Sequence, residues 1–321
     1  MILVSRLAAA ALAALTLIAL PAAADYPVRP VRFVVPYPPG GTTDVLARIV
    51  AQWLSEHLGQ QFIVENKPGG GNNIGTDFVL KAPPDGYTML LVNPANGINT
   101  TLYENLPFNF PRDVAPVAGL VRTPNVMEVT PSLPVKTVAE FIAYCKANPG
   151  KLNMASSGSG TSVHLSGELF KTMTGCQMVH VPYKGASPAL TDLMAGQVHV
   201  IFDNLPSSLP LIKSGRLRAL GVTSAGREPS LPDVPTVGET VAGYEATAWF
   251  GIGMPKGTPR EAIEKVNAEV NRALADPKMR ARLAELGGAP IAGTPEDFGN
   301  VIRVETDKWA KVVRASGARV E

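Results

Sequence analysis

A chain of 321 residues, 45% hydrophobic and 6% aromatic with a formal net charge of +2, is long enough for one large domain or two domains with a core each. Its 29 basic residues nearly balance 27 acidic ones, which removes any electrostatic argument for a nucleic acid or an anionic membrane surface. The low aromatic content removes the argument for base stacking as well.

Residues 1–24 read as a secretory signal peptide: Arg6, an apolar run from Leu7 to Leu20, then Pro21-Ala22-Ala23-Ala24 before Asp25. Cleavage there would leave 28 basic against 27 acidic residues, a net charge of +1. No later stretch supplies the ~18 consecutive apolar residues of a membrane span, so a soluble protein outside the cytoplasm is expected.

From Val31 onward, apolar runs alternate with amphipathic segments, the pattern of βα units and parallel sheets. Strands are expected at Val31–Val35, Phe62–Glu65, Thr88–Val92 and Val117–Val121, with a helix over Thr43–Leu58 that carries Leu46, Ile49, Val50 and Leu54 on one face. The pattern restarts at Asn125. Strands follow at Val126–Val129, Leu152–Ala155, Met178–Pro182, His199–Phe202 and Leu217–Val222, with helices near 137–147, 162–174, 186–196 and 206–214. After a Pro- and Gly-rich break from Pro229 to Gly243, a strand at Thr247–Gly253 and helices near 259–275, 277–286 and 295–315 close the chain.

Two α/β series with a helical return predict two lobes, 25–124 with 247–321 and 125–246, joined by crossings near 123–126 and 222–248. In such folds ligands sit beyond the carboxyl ends of the strands, here between the lobes.

Two loops face that cleft. VVPYPPGGTTD (34–44) and NMASSGSGTSVHL (153–165) each leave a strand through Gly, Ser and Thr and enter a helix, where unpaired N–H groups and the helix dipole favour an anion. GxxxxGK[ST], GxGxxG in the first βα turn and G-x-S-x-G are all missing. With no Lys or Arg in either loop, a small carboxylate held by neutral dipoles, hydroxyls and water is the ligand that fits. Asp44 reads as a helix cap, and Tyr37 as either an aromatic wall or packing. Asp203, after an apolar strand, is either a ligand contact or a cap, and Asn93 and Asn96 share those alternatives.

Ser157, Ser159 or Ser162 with His164 would be the nucleophile and base of a secreted hydrolase, but serines in a Gly-rich loop more often serve as donors, and His164 reads as packing. His180 and His199 read as core or sheet-edge residues and His57 as surface helix. No carboxylate pair or metal cluster is evident, so neither catalysis nor a metal or cofactor is expected. Cys145 and Cys176 are either a disulfide or two buried thiols.

VVPYPPGGTTDVLAR (34–48), VENKPGGGNNIGTD (64–77), KANPGKLNMASSGSGTSVHLSGELF (146–170), VPYKGASPALTDLMAGQVHVIFDNLPSSLP (181–210) and LPDVPTVGE (231–239) together resemble the Bug family of extracytoplasmic solute-binding proteins of tripartite tricarboxylate transporters. The resemblance covers essentially the whole mature chain. It implies a periplasmic, monomeric protein with a two-lobe type II periplasmic binding fold, an α/β architecture hinged about a ligand cleft. It further implies a small carboxylate as ligand, such as a di- or tricarboxylate, an acidic amino acid or an aromatic acid, and membrane permease subunits as partners. Carried onto this chain, carboxylate recognition falls to Tyr37, Gly40, Gly41, Thr42 and Thr43 in one loop and Ser157, Gly158, Gly160, Thr161 and Ser162 in the other, with Asp203 nearby. The alternative role is a sensory subunit presenting its ligand to a membrane histidine kinase.

Overall fold

The computed structural model describes residues 26–320, so the expected signal peptide lies outside the described residues. The first sheet is built on β1 (Val31–Val35), parallel to β2 (Phe62–Asn66) on one side and β3 (Thr88–Val92) on the other. Side chains of β1 and β3 alternate between two cores: Phe33, Val35, Met89 and Leu91 face one, Val34, Leu90 and Val92 the other. Burial on both faces explains why these strands read as unbroken apolar runs.

The first core is covered by α1 (Thr42–Leu58), through Leu46, Ile49, Val50 and Leu54, and by α8 (Arg260–Ala275) and α9 (Pro277–Glu285). Gly59, at φ 72°, ends α1 in the left-handed conformation that a glycine adopts without steric cost. The second core takes Val79 of α2 (Asn73–Leu80) and Phe298 and Ile302 of α10 (Pro295–Ser316). Neither α2 nor α3 (Pro94–Leu102) was expected from periodicity, because both are short and rich in Asn, Gly and Thr.

The strands expected at Val117–Val121 and Val126–Val129 are one strand, β4 (Val114–Val129). It runs antiparallel to β9 (Thr247–Pro255) as far as Pro124, then antiparallel to β7 (Val200–Asn204) and β8 (Arg218–Val222) from Asn125 onward. Pro124 resembles a strand breaker. Its missing N–H falls where the ladder passes from one partner to the others, so the strand continues. Thr223 ties this crossing together: Asn125 N–H donates to its Oγ1 at 2.7 Å, and its own N–H donates to the Asn125 carbonyl at 2.9 Å.

The second sheet adds β5 (Leu152–Ser156) parallel to β7 and to β6 (Met178–Pro182). Helices α4 (Val138–Ala147) and α5 (Ser162–Thr174) cover one face, while α6 (Ala186–Met194) covers the other and α7 (Leu205–Lys213) closes the end nearest the first sheet. Ile98 and Leu102 of α3 and Trp309 and Val313 of α10 lie in the same apolar cluster as Phe170 and Phe202. The two halves are therefore joined by packing as well as by strand β4. Among the described residues no helix is long and apolar enough to cross a membrane.

Cys145 and Cys176 are both buried free thiols, with the Cys145 thiol donating to the Gln177 carbonyl at 3.8 Å. Burial, with Cys176 beside it, pushes the Cys145 thiol up to about 12. The folded chain should therefore resist alkylation at neutral pH, and two cysteines should react once it is unfolded. Peptide mapping that finds the two joined would select the disulfide instead.

Candidate functional site

Five helices start at one place between the sheets. The β1–α1 loop brings Tyr37, Gly41, Thr42 and Thr43 to a cavity of about 30 Å³, and the β5–α5 loop brings Ser157, Thr161 and Ser162. The helix starts at Asn93-Pro94, Ala186 and Asn204 complete the rim, and Phe250 of β9 adds an apolar wall. Among the described residues no charged side chain lines this space. Whatever anion it holds must be met by dipoles and hydroxyls.

Three of the five helix starts have no side-chain cap: Gly41 before α1, Gly185 before α6 and Asn204 before α7. Among the described residues the N–H groups of Thr42, Thr43 and Ala186, which line the cavity, have no internal hydrogen-bond partner. At α5 the Thr161 hydroxyl caps the His164 N–H at 3.2 Å. The Ser162 hydroxyl oxygen accepts from Asn204 Nδ2 at 3.2 Å, leaving its own proton free.

Gly40, Gly158 and Gly160, expected to offer N–H groups to a ligand, are not among the residues that line the cavity, and their N–H groups are engaged inside the protein. Gly40 N–H donates to Asp44 Oδ2 at 3.0 Å, Gly158 N–H to Ser156 Oγ at 3.2 Å and Gly160 N–H to His164 Nδ1 at 3.2 Å. They shape the loops. Burial opposes the charge of Asp44, but hydrogen bonds from Arg48, Asn66 and Gly40 outweigh it and hold the carboxyl below its ordinary value. Asp44 thus braces the turn from the third position of α1 without capping that helix.

Asp203 is not among the residues that line this cavity. It is fully buried, accepts from Ser207 and from Ser208 at 3.0 Å, and shares a face of the sheet with Glu128 of the neighbouring strand. Ser208 Oγ is also 2.5 Å from Glu128 Oε1. One hydroxyl proton serves only one acceptor, so two ionised carboxylates would leave one of these contacts without a proton. Desolvation first, and then the charge of Asp203, pushes Glu128 well above the usual carboxylate range; desolvation also lifts Asp203 to about 6. This carboxylate pair was missed because Glu128 and Asp203 come from strands far apart in sequence.

Beneath the second loop, His164 stacks on His180 with centroids 3.9 Å apart. Burial, His180 and Lys171 push His164 down to about 3, and burial and Lys171 push His180 down to about 4, so both rings are neutral near pH 7. His164 spends Nδ1 on Gly160, and His180 Nε2 meets Ser156 at 2.6 Å, a serine with no exposure. Ser157, Ser159 and Ser162 make no described hydrogen bond to an imidazole, which leaves the cleft without an activated nucleophile.

The halves touch across the cleft. Thr42 Oγ1 donates to Ser207 Oγ at 3.1 Å, and Ser187 Oγ donates to the Pro39 carbonyl at 2.8 Å. With about 30 Å³ between them there is room for little more than a water molecule or two, so entry of any organic acid requires the halves to part.

Residues 46–318 match the family model described as the tripartite tricarboxylate transporter family receptor. Protein BugT of Bordetella pertussis is 39% identical over 310 residues, covering 95% of this chain and 94% of that protein. An R. palustris protein solved with adipate superposes with a TM-score of 0.91 at 42% identity, covering 92% of this chain and all of the other. MatC from Rhodopseudomonas palustris, solved with bound malate, gives a TM-score of 0.85 at 32% identity over 90% of this chain and 100% of its own.

Proposed function

We propose, from the premise that this chain belongs to the tripartite tricarboxylate transporter family of receptors, that it captures a small carboxylate between its lobes in the periplasm and delivers it to the membrane permease of such a transporter. The family is one of receptors and not of enzymes. We take the lobes as 25–124 with 247–321 and 125–246, with β4 passing from one to the other. The observation that carries the reading is the convergence of helix starts with unspent N–H groups on a cleft without charged side chains. Helix dipoles and oriented N–H groups favour an anion there and leave a neutral molecule without compensation.

In this reading Thr42, Thr43, Ser157, Thr161 and Ser162 surround the carboxylate, Tyr37 and Gly41 shape its seat, and Gly40, Gly158, Gly160 and Asp203 hold the loops that carry them. The acids found with adipate- and malate-bound relatives make dicarboxylates the first to try.

A ligand that binds the folded chain alone stabilises it by ~2.7 kcal/mol at a hundredfold excess over Kd. For a chain of this size that is a rise in Tm of several degrees, at roughly 2–4 °C per kcal/mol. A panel of adipate, malate, citrate, glutamate and benzoate, each beside its amide, should contain at least one acid that raises Tm while its amide does not. If no acid shifts the melt and none copurifies, the reading fails.

A further inference from the structure

Asn93 caps α3, and that role uses only half of its side chain. Its Oδ1 accepts from Ala95 N–H at 3.1 Å, from Asn72 Nδ2 at 3.2 Å and, at a longer 3.4 Å, from the Tyr37 hydroxyl. The two N–H donors, from Ala95 and Asn72, settle which end of the amide is oxygen, since a flipped amide would face both with N–H groups. Asn72 is itself fixed, because its own Oδ1 accepts from Asn96 Nδ2 at 3.2 Å and from Thr76. The other end of Asn93, Nδ2, has no partner, although the residue is only 4% exposed and lines the cavity between the loops. Buried amide donors are rarely left unmade, because the lost hydration is not recovered.

We propose that Asn93 is a ligand-binding residue, whose Nδ2 donates a hydrogen bond to the carboxylate held in the cleft and so helps select an acid over its amide. The inference rests on the carboxylate-binding reading above. It adds a side-chain donor from the first half of the molecule to the backbone donors of the helix starts. The Asn-rich turns at 72–73 and 93–99 then have a common purpose: they lock the Asn93 amide with its N–H groups toward the ligand. Discrimination follows from chemistry, because a carboxylate offers Nδ2 an acceptor at either oxygen, whereas an amide does so only through its carbonyl and must find an acceptor for its own N–H groups among the surrounding donors.

Two substitutions separate capping from binding. Asn93→Asp and Asn93→Ser both keep an oxygen for the Ala95 N–H, since Asp and Ser are as good at a helix start as Asn. Asn93→Ser deletes the donor and should weaken the best acid of the panel about tenfold, the value of one hydrogen bond to a charged group. Asn93→Asp puts an acceptor or a charge in its place and should weaken that acid by roughly a hundredfold or more. It should also raise the affinity for the matching amide relative to the acid, a reversal that damage to packing alone would not produce. Calorimetry on the intact chain with each panel acid and its amide reads all of this, with the far-UV spectrum and Tm as the folding check. Folded Asn93→Ser and Asn93→Asp proteins that bind the acid as tightly as the unaltered chain overturn the assignment while leaving the carboxylate reading in place. An unaltered chain that binds no acid of the panel overturns both.

Discussion

Gly160→Val is expected to remove most ligand binding, although the Gly160 N–H is spent on His164 and donates nothing to a ligand. The backbone at Gly160 has φ +82°, and a Cβ added there would run into Asn99 and come within 3.0 Å of Leu102. Both of those residues belong to α3, across the cleft, so the side chain would act as a wedge between the halves. A β-branched residue in the left-handed region costs about 1–2 kcal/mol, which weakens the loop in every state. Overpacking against α3 adds roughly 1–3 kcal/mol to this arrangement of the halves and, in the proposed reading in which the ligand binds that arrangement, is equivalent to about a ten- to hundredfold loss of affinity.

Gly160→Ala should lie between the two, and it guards against a valine variant that fails to fold. Thr161→Ala offers the contrast. It removes the cap of α5 and should cost ~1 kcal/mol of stability with a smaller loss of binding. Calorimetry finding Gly160→Val as tight as the unaltered chain would show that the halves do not close at this loop.

Asp203→Asn is expected to make the protein relatively more stable as pH rises from about 4 to about 7. The folded chain holds the Asp203 proton up to about pH 6, whereas an unfolded chain releases it near 3.8. Between those values the folded state binds more protons, so stability falls with rising pH and the full loss is present above the folded value. At ~1.4 kcal/mol per pH unit the loss amounts to about 3 kcal/mol. Asparagine still presents an oxygen to the hydroxyls of Ser207 and Ser208, and it has no proton to lose.

The difference in unfolding free energy between Asp203→Asn and the unaltered chain should therefore grow by about 3 kcal/mol across that interval, as read by urea titration at several pH values. A difference that stays constant with pH would mean that the folded chain does not hold the Asp203 proton above the unfolded value. Glu128→Gln should flatten the profile at higher pH, where the Glu128 proton would otherwise be lost.

Much of this molecule is legible in its sequence, for local reasons. Val31–Val35 and Thr88–Val92 form strands where apolar runs of that length stand between turn residues, and Thr161-Ser162 starts α5 where a capping hydroxyl precedes an amphipathic run. The start of α3 was also written locally, as an Asn cap followed by Pro94 in the first turn, but the segment lacked the apolar stripe that periodicity requires. The expected break between Val121 and Val126, across Pro124, misled in the other direction, since one strand runs through it. The effect of Pro124 depends on which strand stands opposite, and no neighbour in the chain records that.

The same division runs through the site. The sequence by itself determined that two Gly-, Ser- and Thr-rich loops lead into helices and that neither carries a cation, because loop composition and helix caps are properties of adjacent residues. The folded backbone decided which N–H groups are spent, in these loops on partners within four residues that composition alone does not single out. Gly40, Gly158 and Gly160 turn theirs inward to Asp44, Ser156 and His164, while Thr42, Thr43 and Ala186 keep theirs. Only the tertiary structure decided that Asp203 meets Glu128 and that Asn93 is locked by Asn72 and Ala95 with one end unpaired. A hydrogen bond is used up by whichever partner folding brings within about 3 Å, and for donors on one strand and acceptors on another that partner is set by packing and register.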